Sequence, residues 1–302
     1  MRAEIEQAVA LLAKGDPASL EEALALLQDT VFSFSMKVCG QREDAEDTMQ
    51  EVLAKSVSYL PKFNNPRALI VWLYKVAKHR CLMSRRRSKF APNKDLSLDQ
   101  LMPDKLELEL LAKEGPASPE TQAIRAQQAQ RLREAVQKLP PQYRIILVLR
   151  DMEGLSDEEV AEITGLKPGN VRVRLHRARL FVRKELAQLD ARRRTRAKAD
   201  RTLPAHAVER NGVQRPASCK AMFAELSNYL DEQMDDSMCA QLEQHLDSCI
   251  PCQAFLASLK STIVQLRELA PGEPSRTLAA KRCRDELLAA YRSQLGGGKL
   301  VR

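Results

Sequence analysis

His245, Cys249 and Cys252 follow one another as His-x3-Cys-x2-Cys, a spacing that puts an imidazole and a thiolate one helical turn apart and a second thiolate around the following turn. Nitrogen and sulfur donors in this mixture are what zinc favours. Cys219 supplies a fourth donor upstream, with Cys239 as the alternative. Four protein ligands leave no open position for a catalytic water, so the pattern points to a structural or regulatory zinc ion and away from a zinc hydrolase. Cys39, Cys81 and Cys283 read as isolated thiols.

A second chemical pattern is cationic. Ser156-Asp157-Glu158-Glu159 has the form of a capping box, in which the serine accepts from the amide of Glu159 and the glutamate reaches back. Val160 and Ile163 give that helix a buried face, Gly165 stops it, and Pro168 starts another within a few residues. This is the tight connection of a helix-turn-helix. On the second helix Val171, Leu175 and Ala178 share one side, leaving Asn170, Arg172, Val173, His176 and Arg177 towards the other side and flanks. That face suits the major groove, where arginine can hold guanine with two parallel hydrogen bonds. Arg174, Arg179 and Arg183 suit phosphate contacts or structural pairing.

The elements that must carry these residues are helices. Aromatic residues are only 4% of the chain, glycines number 11, and no stretch alternates with period two, so an all-α fold is expected. A chain of 302 residues is long for one core, which implies two or three domains. No apolar run reaches membrane-spanning length, and Glu4 and Glu6 close to Met1 do not suit a signal peptide, so a cytoplasmic protein is expected. Thiols there stay reduced, which favours metal binding over a disulfide framework.

Charge is distributed in blocks. The net charge is +8, yet the segment 41–51 is acidic, whereas 62–94 carries Lys62, Arg67, Lys75, Lys78, Arg80, Arg85, Arg86, Arg87, Lys89 and Lys94 with no acidic residue among them. A helix from Arg42 to Leu60 would turn Ala45, Met49, Val52, Leu53 and Leu60 inward and Asp44, Asp47, Gln50 and Glu51 outward. The next, beginning after Pro66, would bury Leu69, Trp72, Leu73, Val76 and Ala77 and expose Lys75 and Lys78. Trp72 lies on the apolar stripe and reads as core. Helices are expected from Arg125 to Leu139 and from Gln142 to Met152, divided by Pro140-Pro141. The expected domains are 1–90, 123–189 and 218–270, joined by a proline-containing linker over 91–122 with room for a short helix and a basic linker over 190–217, with a tail over 271–302.

Gln41-Arg42-Glu43-Asp44-Ala45-Glu46-Asp47, then Gln50-Glu51-Val52, then Trp72-Leu73-Tyr74-Lys75-Val76-Ala77 resembles region 2 of the extracytoplasmic-function (ECF) group of sigma-70 factors. The stretch from Gly165 to Val171 followed by Arg174-Leu175-His176-Arg177-Ala178-Arg179 resembles region 4 of the same family. The resemblance implies that Asp44, Asp47, Gln50 and Glu51 face core RNA polymerase. It also implies that the loop and helix after them meet the minus-10 promoter element and the helix-turn-helix meets the minus-35 element. Holding an extruded base needs an apolar or aromatic surface with cations on the backbone, and Phe63, Asn64, Asn65 and Arg67 are placed for that. Lys75, Lys78, Arg80 and the arginines at 85–87 would grip phosphate.

Tyr229-Leu230-Asp231 followed by His245-Leu246, Cys249, Pro251 and Cys252 resembles the zinc-binding anti-sigma domain, here fused to its sigma partner. The expected function is a sigma factor, not an enzyme, whose acidic zinc domain packs on the basic sigma domains and modulates promoter use. The alternative is a stand-alone helix-turn-helix regulator of duplex DNA.

Overall fold

The computed structural model describes residues 3–14, 16–56, 59–60, 63–86, 95–103, 122–199, 217–269, 285 and 289. Among these residues the regular structure is helical and no strand occurs, as composition and periodicity require. By its contacts the chain divides into two compact units. The first comprises Met1–Asn93 and Arg144–Pro168 with Ala270–Arg302, and the second comprises Lys94–Tyr143 and Gly169–Leu269. The segment drawn from sequence as 123–189 contributes to both.

In the first unit, α1 (Ala3–Lys14), α2 (Pro17–Cys39), α3 (Arg42–Ser56) and α4 (Pro66–Arg86) pack together. Asp16 caps α2 by accepting from the Ser19 amide at 2.9 Å, and Pro17 adds a φ already suited to the first turn. Gly40, at φ 79°, ends α2 in the left-handed region that other residues avoid and returns its N–H to the Met36 carbonyl. The expected apolar stripes then point inward: Ala45, Met49, Val52 and Leu53 of α3 are buried, as are Leu69, Leu73 and Ala77 of α4, whereas Val76, also expected to be buried, is half-buried. Burial of each large aliphatic side chain contributes about 1.5–3 kcal/mol. Helix α3 stops at Ser56, short of the expected Leu60, where the Ser56 hydroxyl donates to the Leu53 carbonyl at 2.7 Å. Leu60 is buried all the same.

Helix α7 (Pro141–Leu147), preceded in the second unit by α5 (Leu98–Leu101) and α6 (Gln122–Lys138), starts at the second proline of the pair, enters the first unit at Arg144 and runs into one wide turn, Val148–Met152, closed by the Glu153 amide on the Val148 carbonyl at 2.9 Å. Helix α8 (Asp157–Thr164) carries both halves of the expected capping box: Ser156 accepts from the Glu159 amide at 3.2 Å, and the Glu159 carboxylate accepts from the Ser156 amide at 2.8 Å. Contrary to the sequence expectation, Cys39, at the end of α2, and Cys81, on α4, are not isolated thiols but are joined as a disulfide, their Cα atoms 5.7 Å apart. Helical periodicity shows which face a cysteine occupies and is silent on which distant helix that face meets. Cys283 lies outside the described residues.

The second unit holds α5 (Leu98–Leu101), α6 (Gln122–Lys138), α9 (Pro168–Ala199), α10 (Ala217–Leu230), α11 (Asp236–Ser248) and α12 (Ile250–Glu268). Its core joins Leu180 of α9 to Phe223 and Leu226 of α10, Leu242 and Leu246 of α11, and Phe255, Leu259 and Ile263 of α12, with Leu101 and Met102 from the short α5 and its end. No helix among the described residues is long and apolar enough to cross a membrane.

Candidate metal and nucleic-acid sites

The corner between α11 and α12 positions the metal-binding side chains. Asp235 caps α11 by accepting from the Met238 amide at 3.0 Å, which starts the helix two and a half turns ahead of His245. Cys249 is the single residue between the two helices, and Pro251 and Cys252 occupy the first turn of α12. The donor atoms of His245, Cys249 and Cys252 all lie within 4.8 Å of one another, with His245 Nε2 3.3 Å from Cys252 Sγ. The Cys249 carbonyl accepts from the amides of Cys252 and Gln253, at 3.0 and 3.1 Å, which fixes the first turn of α12 against the corner. An imidazole and two thiolates converging on one point fit a zinc ion. The Cys219 side chain lies outside the described residues. Cys239, the alternative fourth donor, stands on the first turn of α11 outside this group. Desolvation, followed by the carboxylates of Glu243, Asp236 and Asp235, pushes its thiol pKa up, away from the thiolate.

Helix α9 follows Gly165, whose φ of 73° is left-handed, and begins at Pro168 as expected. Asn170, Arg172 and Val173 are exposed and Arg174 and Arg177 half-buried, whereas His176 and Arg179 are buried. The residues burying them belong to α10 and the turn after it. Nδ1 of His176 lies 2.7 Å from the Ser227 hydroxyl. Arg179 donates to both oxygens of Asp231, at 2.6 and 3.0 Å, with Arg267 of α12 also 3.6 Å from that carboxylate. One turn further on, Arg183 lies over the Phe255 ring at 4.1 Å. Burial, and then the neighbouring charges of Arg179 and Arg177, push the His176 pKa down to about 4, so the ring is neutral at pH 7. A helical wheel leaves these two residues open because it contains one helix only. Ser227 and Asp231 carry no sequence signal that names their partners.

In the first unit the acidic face of α3 is partly engaged. Asp47 is exposed, and Asp44, Gln50 and Glu51 are half-buried. Glu51 pairs with Lys55 and with Arg80 of α4, each at 2.7 Å, and the hydrogen bond from Lys55 leads the causes that lower its pKa. Trp72, expected in the core, is half-buried and forms an aromatic group with Tyr59 and Phe63, its ring 5.4 and 5.8 Å from theirs. Sequence reasoning missed Tyr59 because it drew the α3 helix on through Leu60, whereas the helix ends at Ser56 and Tyr59 stands in a turn beyond it. Asn64 and Asn65 are exposed beside this group, and Asn65 accepts from the Arg67 amide at 2.8 Å at the start of α4.

Lys75 is exposed, but two other expected DNA contacts are occupied by the helix-turn-helix segment within this unit. Arg67 pairs with Glu159 at 2.8 Å, and half-buried Lys78 donates to the Ile163 carbonyl at 2.7 Å. Burial first, and then Lys75, lower the Lys78 pKa. Buried Glu153 accepts from Lys37 at 2.8 Å and from the Tyr74 hydroxyl at 2.7 Å, and buried Arg144 donates to the Val38 carbonyl at 2.7 Å. The 85–87 arginine side chains, Lys62, Lys89 and Lys94 lie outside the described residues.

Comparisons with known proteins match three segments of this chain. Residues 24–90 match the family model "Sigma-70 region 2", residues 129–182 match "Sigma-70, region 4", and residues 219–253 match the model described as "Putative zinc-finger". Among curated relatives, the ECF RNA polymerase sigma factor SigD of Mycobacterium tuberculosis is 31% identical over 180 residues, 58% of this chain and 80% of that protein. The ECF RNA polymerase sigma factor SigW of Bacillus subtilis is 25% identical over 189 residues, 63% of this chain and 100% of that protein. A solved complex of the sigma factor RpoE with the anti-sigma factor NepR from Bartonella quintana matches at 20% identity and a TM-score of 0.39, covering 54% of this chain and 93% of that one.

Proposed function

The chain belongs to the ECF RNA polymerase sigma factors, and from that premise we propose that it is a sigma factor restrained by its own zinc-binding domain. In this reading it works in the cytoplasm with core RNA polymerase and promoter DNA, and it has no catalytic centre of its own. The functional parts are a region 2 domain at 1–90, a region 4 domain at 123–189 and the zinc domain at 218–270, connected by the segments at 91–122 and 190–217, with the tail at 271–302.

The observation that carries the proposal is the buried pairing of Arg179 with Asp231 beside His176 and Ser227. A guanidinium that would otherwise meet DNA phosphate is held by a carboxylate that mimics it, and two parallel hydrogen bonds give that contact direction. Promoter DNA and α10 therefore compete for one flank of α9. Asn170, Arg172 and Val173 at the start of the helix are exposed, on the face that would meet base edges. Within the first unit, Arg67 and Lys78 are engaged by α8 and must be released before they can serve the minus-10 element. Tyr59, Phe63 and Trp72 supply the apolar surface for an extruded base, and Lys75 the nearby cation.

His245, Cys249 and Cys252 would hold zinc, with Cys219 as the fourth donor. When bound, the metal supplies a cross-link between its donors. The residues themselves fix the α11–α12 corner, and the Phe223–Phe255 contact at 4.7 Å ties α12 to the helix that covers α9.

A binding assay with purified core polymerase separates this reading from a stand-alone regulator. The full chain should bind core in the absence of DNA, and Asp47→Arg with Glu51→Arg should weaken that binding at least tenfold. A chain that binds promoter duplex yet has no affinity for core would be the stand-alone regulator.

A further inference from the structure

The bridge between Cys39 and Cys81 encloses a chemically loaded stretch of chain. Its sequence separation of 42 spans all of α3, the aromatic loop and most of α4. Inside it fall Asp44, Asp47, Gln50 and Glu51, expected to face polymerase, and the residues from Phe63 to Arg80 expected to meet the minus-10 element, with the arginines at 85–87 beyond it. Cys39 is the last residue of α2, immediately before the left-handed Gly40 that turns the chain into α3. Thr48 of α3 stands against both sulfurs, its hydroxyl 3.9 Å from Cys39 Sγ and 3.8 Å from Cys81 Sγ. Thr48 is also one turn from Asp44 and adjacent to Asp47. Three helices thus meet at one sulfur pair, and the middle one carries the acidic face.

We propose that Cys39 and Cys81 are an oxidation site, a reversible thiol–disulfide pair that pins α3 between α2 and α4 and acts separately from the His245–Cys249–Cys252 cluster. Oxidation requires a two-electron acceptor, and hydrogen peroxide is the oxidant class proposed. One thiolate attacks a peroxide oxygen, giving a sulfenic acid and releasing water after protonation. The second thiol then displaces the sulfenic oxygen as a second water, forming the S–S bond. Two thiols and one peroxide become one disulfide and two waters. A small dithiol restores both thiols by exchange. Both cysteines are 2% exposed or less, so reaction in either direction follows local opening of α2 or α4. Closing a loop of this length removes freedom from the unfolded and locally opened chain, and its benefit falls on the segment inside the loop.

The pinning of α3 matters for transcription only if the sigma reading holds, whereas the thiol chemistry does not depend on it. The test therefore uses no polymerase. The full zinc-loaded chain is treated with hydrogen peroxide or with dithiothreitol, unfolded in alkylating reagent and digested with trypsin. Oxidised protein should yield the peptides 38–42 and 81–85 as one linked species, returned to two alkylated peptides by dithiothreitol. Hydrogen exchange on the two forms should show α3 amides exchanging at least tenfold more slowly in the oxidised one. Cys39→Ser and Cys81→Ser should each abolish that difference, and if either fails to fold, the comparison of the two native forms decides alone. Alkylation of both cysteines after peroxide treatment would overturn the proposal. So would a linked species with unchanged exchange in α3.

Discussion

Lowering the pH should detach α10 from α9, because His176 is neutral only while it is buried there. The docked ring has a pKa of about 4 against an ordinary value of 6.5. For a base with a depressed pKa the docked state binds fewer protons, so docking is at full strength above pH 6.5 and weakens as pH falls towards 4. At pH 5 the undocked ring is almost wholly protonated and the docked ring is not. The docking constant then falls about thirtyfold, or by about 2 kcal/mol. Other groups nearby are cationic Arg177 and Arg179 on α9, with the Ser227 hydroxyl of α10 and the Asp231 carboxylate just beyond it across from them. The assay is hydrogen exchange of the α10 amides between Phe223 and Leu230 at pH 5 and 7.5, each corrected for intrinsic exchange. His176→Gln keeps the zinc cluster and removes the titration, so it isolates the effect. The wild type should lose about 2 kcal/mol more protection than the variant between the two values. Equal loss in both proteins would show that His176 does not couple docking to pH.

Glu153→Gln weakens the buried ion pair to Lys37 and alters the hydrogen bond from Tyr74, and leaving the lysine without its full counter-charge should cost the first unit about 3 kcal/mol in a denaturant titration. Ser156→Ala removes one half of the capping box and should cost about 1 kcal/mol, read by thermal melting. A chelator should lower the melting temperature of the full chain. Metal analysis should find zinc lost in His245→Ala or Cys252→Ala and retained in Cys239→Ala.

Much of the fold was legible because it rests on local rules. The capping box at Ser156, the stop at Gly165, the start at Pro168 and the inward stripe of Met49, Val52 and Leu53 all depend on near neighbours in the chain, and each occurs where the pattern put it. The cluster of His245, Cys249 and Cys252 was legible for the same reason, since its three donors lie within one helix corner. Contacts across distant helices were not. Nothing in the sequence around Arg179 names Asp231, nothing around Lys37 names Glu153, and nothing joins Cys39 to Cys81. Trp72 stands between these cases. Its place on the apolar stripe is right, but the stripe ends at a loop, where Tyr59 and Phe63 complete an aromatic surface that is only half covered. Hydrophobic period identifies a face, and the partner on that face is set by tertiary packing.

Whether the zinc domain restrains the sigma factor to which it is fused is decided by promoter-directed transcription with purified core polymerase. The comparison is between the full chain and Asp231→Ala, on a promoter selected for binding, at pH 7.5 and with zinc present. Removing Asp231 leaves Arg179 buried without its carboxylate, a cost of about 3–5 kcal/mol that undocking relieves. Restraint predicts transcription from that promoter with both proteins and at least tenfold more with Asp231→Ala. Equal or lower transcription from a folded Asp231→Ala protein would rule restraint out, and no promoter-specific transcript from either protein would rule out sigma activity itself.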